Sequence, residues 1–238
     1  RVPAGREAPE WEPLLVDGIR IPVIAESYIG APPDLSLVAH ELAHLLLNAP
    51  DEYFPFRSDS APGPFSLMDQ NWYCAHLDPF LKLRAGWARP LFITESATCR
   101  LGSVERTGQV LVLYDPARSN SEYFLIENRW PEDTYEAALP DKGLAIWHIV
   151  DDASLLGTLP APPGCTAEEW SSIGPDDWGR RALRMVKPVL GDNSKALWDG
   201  AEGARQCALN WLDGTPSSFS LCDISPAAPF MNVSIRVD

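Results

Sequence analysis

Three residues within a span of five carry the side chains that metal-assisted hydrolysis needs: His40, Glu41 and His44, in the order H-E-x-x-H. On a helix, histidines four residues apart lie on one face, so both imidazoles can bind one Zn²⁺ ion. Glu41 then lies beside them, where its carboxylate can accept a proton from a zinc-bound water and pass it to a leaving amine. The chain has only four histidines in 238 residues, and this pair stands among apolar neighbours. The spacing therefore indicates a metal site rather than a chance arrangement on a helix.

A catalytic zinc site takes three protein ligands and leaves a fourth position for water. The predicted third ligand is Asp51, because Asn48-Ala49-Pro50-Asp51 resembles the turn of metzincin peptidases, whose pattern is H-E-x-x-H-x-x-G-x-x-H/D. The glycine position holds leucine here, and one extra residue precedes the turn. Glu52 and His76 are the alternative ligands. If they do not bind a metal, Asp51 is a loop carboxylate that follows the helix, and His76 caps a helix or forms a hydrogen bond.

Met68 is the candidate floor of the same site. In metzincins a tight turn with a methionine lies beneath the zinc-binding histidines, and Ser66-Leu67-Met68-Asp69 resembles that turn. The alternative is a methionine packed in a core turn, since its thioether fills irregular apolar spaces well.

The zinc motif requires a helix, and the sequence predicts one from about residue 35 to residue 47, ended by Asn48 and Pro50. Upstream, a hairpin is expected around Asp17-Gly18, and downstream a second helix is expected at 78–86. From Leu91 the apolar period changes to two, which predicts a β-rich half. Its predicted strands are 110–114, 123–127, 144–149, 183–186 and 231–237, and residues 152–180 are predicted to form a long surface excursion.

The ordered segments H-E-L-A-H, N-A-P-D-E-Y, F-S-L-M-D and L-D-P-F-L-K-L-R-A-G-W resemble the catalytic domain of the immune inhibitor A family of secreted zinc metallopeptidases. The likeness continues in Y-F-L-I-E-N-R at 123–129 and L-P-D-K-G-L-A-I-W-H-I at 139–149. It implies an α+β fold, in which a metzincin-like zinc peptidase part (residues 1–90) is followed by a β-rich, sandwich-like region (residues 91–238) packed against it. It also implies a secreted zinc endopeptidase that acts on proteins or peptides.

The resemblance sets further expectations. Only 39 residues precede His40, whereas the family places several strands before its zinc helix, so part of the N-terminal subdomain is expected to be lacking or supplied by a separate chain. His148 is expected either to support the zinc site as a hydrogen-bond partner or transition-state donor, or to be a buried core histidine. Asp192, Asn193 and Asp199 are candidate Ca²⁺ ligands, because relatives use calcium, or else solvated turn residues.

Composition narrows the classes of partner. A formal net charge of -14 disfavours nucleic acid and anionic lipid surfaces, and no apolar run approaches the roughly 20 residues of a membrane span. No apolar leader is visible at the N-terminus, as in a mature secreted chain. None of the five cysteines forms C-x-x-C. In an oxidising compartment Cys74 is expected to pair with Cys99, and two of the later three cysteines with each other; buried reduced thiols are the alternative.

The sequence thus predicts a zinc-dependent endopeptidase in which His40, His44 and Asp51 bind Zn²⁺ and Glu41 activates water. One alternative is a non-catalytic member of the same family that binds zinc or a partner. Another is a β-rich adhesion or carbohydrate-binding module, for which the side chains expected to be exposed are Trp130, Trp170, Trp178 and Trp198.

Overall fold

The computed structural model describes residues 14–16, 19–21, 35–53, 60–70, 73, 75–118, 121–132, 135–151, 166–168, 183–202 and 205–238. They form a mixed α+β fold that is mostly β, with few helices. The strands are β1 (Leu14–Val16), β2 (Ile19–Ile21), β3 (Arg89–Ile93), β4 (Ala97–Gly102), β5 (Gln109–Leu113), β6 (Glu122–Arg129), β7 (Gly143–Val150), β8 (Leu183–Met185), β9 (Cys207–Asn210), β10 (Pro216–Cys222) and β11 (Phe230–Val237). The helices are α1 (Leu35–Leu47), α2 (Pro79–Arg84) and α3 (Val104–Thr107). None of the described helices has the length and apolarity needed to cross a bilayer.

Two larger sheets and one hairpin hold the strands. The first sheet has the order β3-β5-β6-β7-β8, with β3 parallel to β5 and the other pairs antiparallel. The second is antiparallel, with the order β4-β11-β10-β9. Strands β1 and β2 pair antiparallel, with Leu14 opposite Ile21, which confirms the predicted hairpin. The predicted excursion at 152–180 lies outside the described residues, apart from 166–168.

The five-stranded sheet is the middle layer, because both of its faces are covered. Strand β7 is buried along its whole length, as expected for a strand packed on two sides. Trp147 and Ile149 belong to the core that includes residues of α1 and α2, whereas Leu144 and Ile146 pack with the four-stranded sheet. The alternation of side chains along β7 thus divides its apolar residues between two cores.

Local sequence explains where α1 ends and where α2 begins. Helix α1 stops at Asn48, whose φ of 50° is left-handed, and the Ala49 N–H donates to the Ala43 carbonyl at 3.2 Å. Asparagine tolerates this conformation, so the predicted helix end is confirmed. Helix α2 begins after Asp78, whose Oδ1 accepts the Leu81 N–H at 3.0 Å.

The disulfide prediction is wrong for the cysteines that the structure describes. Cys99, Cys207 and Cys222 are free thiols, which excludes the pairing of Cys99 with Cys74 and that of Cys207 with Cys222. Cys99 lies on β4 opposite Val233, within the four-stranded sheet. Burial raises the pKa of the Cys207 thiol to about 12, which makes this thiol inert. Cys74 itself and Cys165 lie outside the described residues.

The expectation of exposed tryptophans is also wrong for Trp198. Its side chain is buried in the core between the sheets, and its Nε1–H donates to the Val186 carbonyl at 2.7 Å. Trp130 is half-buried, with the Lys142 ammonium 4.5 Å from its ring centroid. Trp170 and Trp178 lie outside the described residues.

Candidate metal centre

The zinc motif and the loop after it bring three ligand atoms together. Asp51 Oδ1 lies 3.3 Å from His40 Nε2 and 3.2 Å from His44 Nε2, and the two ring nitrogens are 3.1 Å apart. The three atoms form a nearly equilateral triangle. Within the part of the chain that the structure describes, this is the group of ligand atoms close enough to share one metal ion.

The size of this triangle fits Zn²⁺. With metal–ligand bonds of about 2.0–2.2 Å, two ligands of a tetrahedral zinc ion lie about 3.3–3.6 Å apart. The edges of the triangle, 3.1–3.3 Å, reach this range with shifts of a few tenths of an ångström. Two imidazoles and one carboxylate are also a ligand set used by catalytic zinc sites, in which the fourth position holds water.

Both histidines are held with Nε2 facing the centre. His40 Nδ1 donates to the Leu67 carbonyl at 2.9 Å, and His44 Nδ1 donates to the Ala49 carbonyl at 2.6 Å. A proton on Nδ1 leaves the Nε2 lone pair available to a metal, and acceptors of this kind fix the orientation of metal-binding imidazoles. The ring planes are nearly perpendicular, with centroids 4.7 Å apart.

Electrostatics at the centre favour an ionised Asp51. Burial alone raises the pKa of this carboxyl, but the hydrogen bonds that His40 and His44 donate when each imidazole carries a second proton outweigh it and hold the pKa well below its usual range. In return, the hydrogen bond to Asp51 raises the pKa of His44. Burial lowers the pKa of His40, but Asp51 and the Leu67 carbonyl outweigh it, so the net shift is upward. A carboxylate that stays charged is the form that binds a metal ion.

Helix α1 carries His40, Glu41 and His44, and the turn at its end directs the chain toward Asp51. The left-handed Asn48 turns the chain back, so Asp51 reaches both histidines although one residue more than the metzincin pattern separates it from them. Glu41 is half-buried beside His40, and its charge contributes to the raised pKa of His44. One residue along a helix rotates the side chain by about 100°, so Glu41 borders the face that carries the histidines.

The turn at 66–69 lies against this centre. Met68 is fully buried, and the Leu67 carbonyl before it is the acceptor for His40. Ser66 Oγ accepts the Met68 N–H at 3.2 Å, and Asp69 Oδ2 accepts the Gly63 N–H at 2.6 Å. The turn is thus fixed by its own polar groups while it orients one candidate zinc ligand.

Neither alternative ligand belongs to the group of three. Glu52 is buried and forms a hydrogen bond with Asp78; burial and the neighbouring Asp78 charge raise its pKa well above the usual range. A carboxyl that stays protonated is a poor metal ligand.

His76 is directed into a buried charge network. Its Nε2 lies 3.2 Å from Glu136 Oε1 and its Nδ1 3.0 Å from the Leu77 carbonyl. In the same network Lys82 donates to Glu127 at 2.6 Å, and Arg129 donates to Glu127 at 3.0 Å and to Glu136. Burial and the two nearby cations lower the pKa of His76, so its imidazole is neutral in this setting.

The structure does not bring His148 to the metal centre. On β7 it faces the core between the two sheets, where it stacks on Phe124 with centroids 4.6 Å apart, and its Nε2 lies 3.0 Å from Glu122 Oε1. The neighbouring Trp147 faces the other core, which contains the residues of α1. This position matches the alternative of a buried core histidine.

The three candidate calcium ligands support turns. Asp192 Oδ1 accepts from the Ser194 N–H at 2.9 Å, and Asp199 Oδ1 accepts from two backbone N–H groups. Asn193 Oδ1 accepts from Lys187 at 3.3 Å. A donor ammonium beside Asn193 disfavours a cation at that oxygen.

Sequence reasoning missed the two backbone carbonyls that orient the histidines, and it missed the contact between Glu52 and Asp78. The Leu67 and Ala49 carbonyls have no sequence signature, because any residue offers a carbonyl. Asp78 carried a signal, since Asp before Pro marks a helix start, but its contact with Glu52 joins segments that are distant in the chain.

Comparisons of the chain with protein-family models, with curated proteins and with solved structures found no match.

Proposed function

We propose that this chain is a zinc-dependent endopeptidase whose metal ligands are His40, His44 and Asp51. The observation that carries the proposal is the triangle of ligand atoms with edges of 3.1–3.3 Å. Zn²⁺ bound there supplies a Lewis acid that polarises a peptide carbonyl and acidifies water. Proteins or peptides in an extracellular setting are the proposed substrates, in line with the resemblance to secreted metzincin-like peptidases of the immune inhibitor A family.

The chain's own residues have separate roles in this reaction. Glu41 accepts a proton from the attacking water and passes it to the nitrogen of the leaving amine. The Leu67 and Ala49 carbonyls hold the imidazoles of His40 and His44, and the ionised Asp51 balances part of the metal charge. Calcium is not part of the proposal.

Hydrolysis of a quenched fluorescent peptide library by the zinc-loaded chain tests the proposal. Glu41→Gln should lower turnover by about 10²–10⁴-fold, because it removes the general base, while bound zinc stays equimolar. The matched control is Glu95→Gln, a change at an exposed glutamate, which should leave turnover unchanged. If Glu41→Gln cleaves as fast as the unaltered chain, the catalytic assignment is wrong.

A non-catalytic zinc-binding member is the second candidate, and the outward face of α1 favours it. Leu35, Leu42 and Leu46 are 60%, 44% and 72% exposed, and with Trp87 and Tyr135 they line an apolar groove of about 680 Å³. A helix that is apolar on most of its circumference is normally covered. We propose that a separate chain covers it. Zinc binding without peptide cleavage in the assay above would favour this candidate.

A further inference from the structure

The loop that carries Asp51 is attached to the protein through the next residue. The Glu52 N–H donates to the Met68 carbonyl at 2.9 Å, and the Glu52 side chain is buried, with the whole residue 1% exposed. Asp51 itself is half-buried and reaches the histidines. The two neighbours therefore have different surroundings, one at the candidate centre and one inside the protein.

Inside the protein, Glu52 meets a second carboxyl group. Its side chain forms hydrogen bonds with Asp78 and Ser66. Glu52 Oε2 and Asp78 Oδ2 are both buried and have no conventional donor among the described residues. Two carboxyl groups can hydrogen-bond only if a proton lies between them.

Asp78 is a firm anchor for this pair. Its Oδ1 already accepts the Leu81 N–H at 3.0 Å as the N-cap of α2, and the residue is fully buried. The same helix carries Lys82, whose ammonium donates to Glu127 on β6 at 2.6 Å. The contact from Glu52 thus leads through α2 to the middle sheet.

We propose that the Glu52–Asp78 carboxyl pair is a positioning device that holds the Asp51 carboxylate at the metal centre. The inference rests on the proposed zinc site. The α1 helix orients His40 and His44, but a loop of three residues separates Asp51 from its end. Glu52 fixes the far side of that loop through its backbone bond to Met68 and its side-chain contact with Asp78. The conformational entropy of placing Asp51 is therefore lost when the chain folds and not when the metal binds.

Zinc affinity, measured by chelator competition on the full chain, tests this role. Glu52→Ala should weaken zinc binding by about 10- to 100-fold, the range seen when groups that orient metal ligands are removed. Glu52→Gln should bind zinc within about threefold of the unaltered chain, because its amide N–H₂ can donate to Asp78 and its carbonyl can accept from Ser66. Rescue by glutamine separates positioning from general loss of packing.

The matched control is Glu122→Ala, which removes an equally buried carboxylate remote from the zinc helix. It should lower the melting temperature and leave zinc affinity unchanged. If Glu52→Ala does not fold, Glu52→Asp replaces it, since a side chain one methylene shorter loses contact with Asp78 and should also weaken zinc binding. Unchanged zinc affinity in the folded variant, or equal losses in Glu52→Ala and Glu52→Gln, would overturn the inference. Absence of zinc binding in the unaltered chain would instead refute the proposed function, and the inference with it.

Discussion

Replacement of Arg129 by methionine should be among the most destabilising single changes in the chain. Arg129 is fully buried, and its guanidinium donates to Glu127 Oε1 at 3.0 Å and to Glu136 Oε1. Methionine fills a similar space but removes the charge. Glu127 keeps Lys82 at 2.6 Å, whereas Glu136 Oε1 keeps the His76 backbone N–H at 3.2 Å.

The expected loss in free energy of unfolding follows from the contacts of Arg129 with Glu127 and Glu136. Each hydrogen bond to a charged group contributes about 1.5–3 kcal/mol, so two contribute roughly 3–6 kcal/mol. Loss of one partner from a buried ion pair costs about 3–5 kcal/mol, because an uncompensated charge stays inside the protein. The two ranges overlap at about 3–5 kcal/mol, which is the loss in free energy of unfolding expected for Arg129→Met.

Urea unfolding followed by tryptophan fluorescence and circular dichroism measures this loss. The control is Arg106→Met, which removes the exposed pair with Glu132 (N–O distance 2.9 Å, Arg106 side chain 72% exposed) and should cost less than about 1 kcal/mol. Adding Glu136→Gln to Arg129→Met should recover part of the loss, since the amide carries no charge. If Arg129→Met costs no more than Arg106→Met, the buried network does not stabilise the fold as described.

Three further predictions concern the metal, the backbone and pH. Zinc at about 100 times its Kd should raise the free energy of unfolding by about 2.7 kcal/mol, and His44→Ala should abolish the shift in calorimetry; a shift that persists would place zinc elsewhere. Gly200→Ala should cost about 1–3 kcal/mol in urea unfolding, because a Cβ at this position would lie 1.9 Å from the Ile224 carbonyl oxygen; an unchanged midpoint would contradict the close approach. Burial lowers the pKa of His148 below the 6.5 of an ordinary histidine. As pH falls, the unfolded chain therefore takes up this proton first, and stability is lost below about pH 6.5. His148→Gln should flatten the dependence of stability on pH between about pH 7.5 and pH 5.5. Glu122 titrates below this window, because the hydrogen bond from His148 outweighs the effect of burial and lowers the pKa of Glu122. An unchanged slope would refute the assignment to His148.

Local sequence was enough to predict the elements whose causes are local. The period of α1, its end at Asn48 and the start of α2 after Asp78 depend on residues within one or two turns of the chain. The approach of His40 to His44 follows from the same helical period, because residues four apart lie on one face.

Features that depend on distant segments could not be predicted from the sequence. Asp51 itself was predicted, but from the likeness of its turn to the metzincin pattern and not from helical period, which does not fix the loop conformation after Asn48. The buried state of Glu127 and Arg129 depends on Lys82 and Glu136, which come from other parts of the chain. Sheet register, which places Cys99 opposite Val233, is likewise set by distant strands, and Cys99 is a free thiol.

The anchoring of both Nδ1 atoms by backbone carbonyls has a consequence for how a metal ion would enter. In small zinc domains, metal uptake and folding are one event, and chelators denature the protein. Here the acceptors belong to a helix exit and a core turn, which are held by backbone hydrogen bonds and by buried apolar contacts as well as by the metal ligands. We therefore expect reversible metal exchange on a folded scaffold, at a rate set by dehydration of the ion and of Asp51 rather than by ordering of the chain.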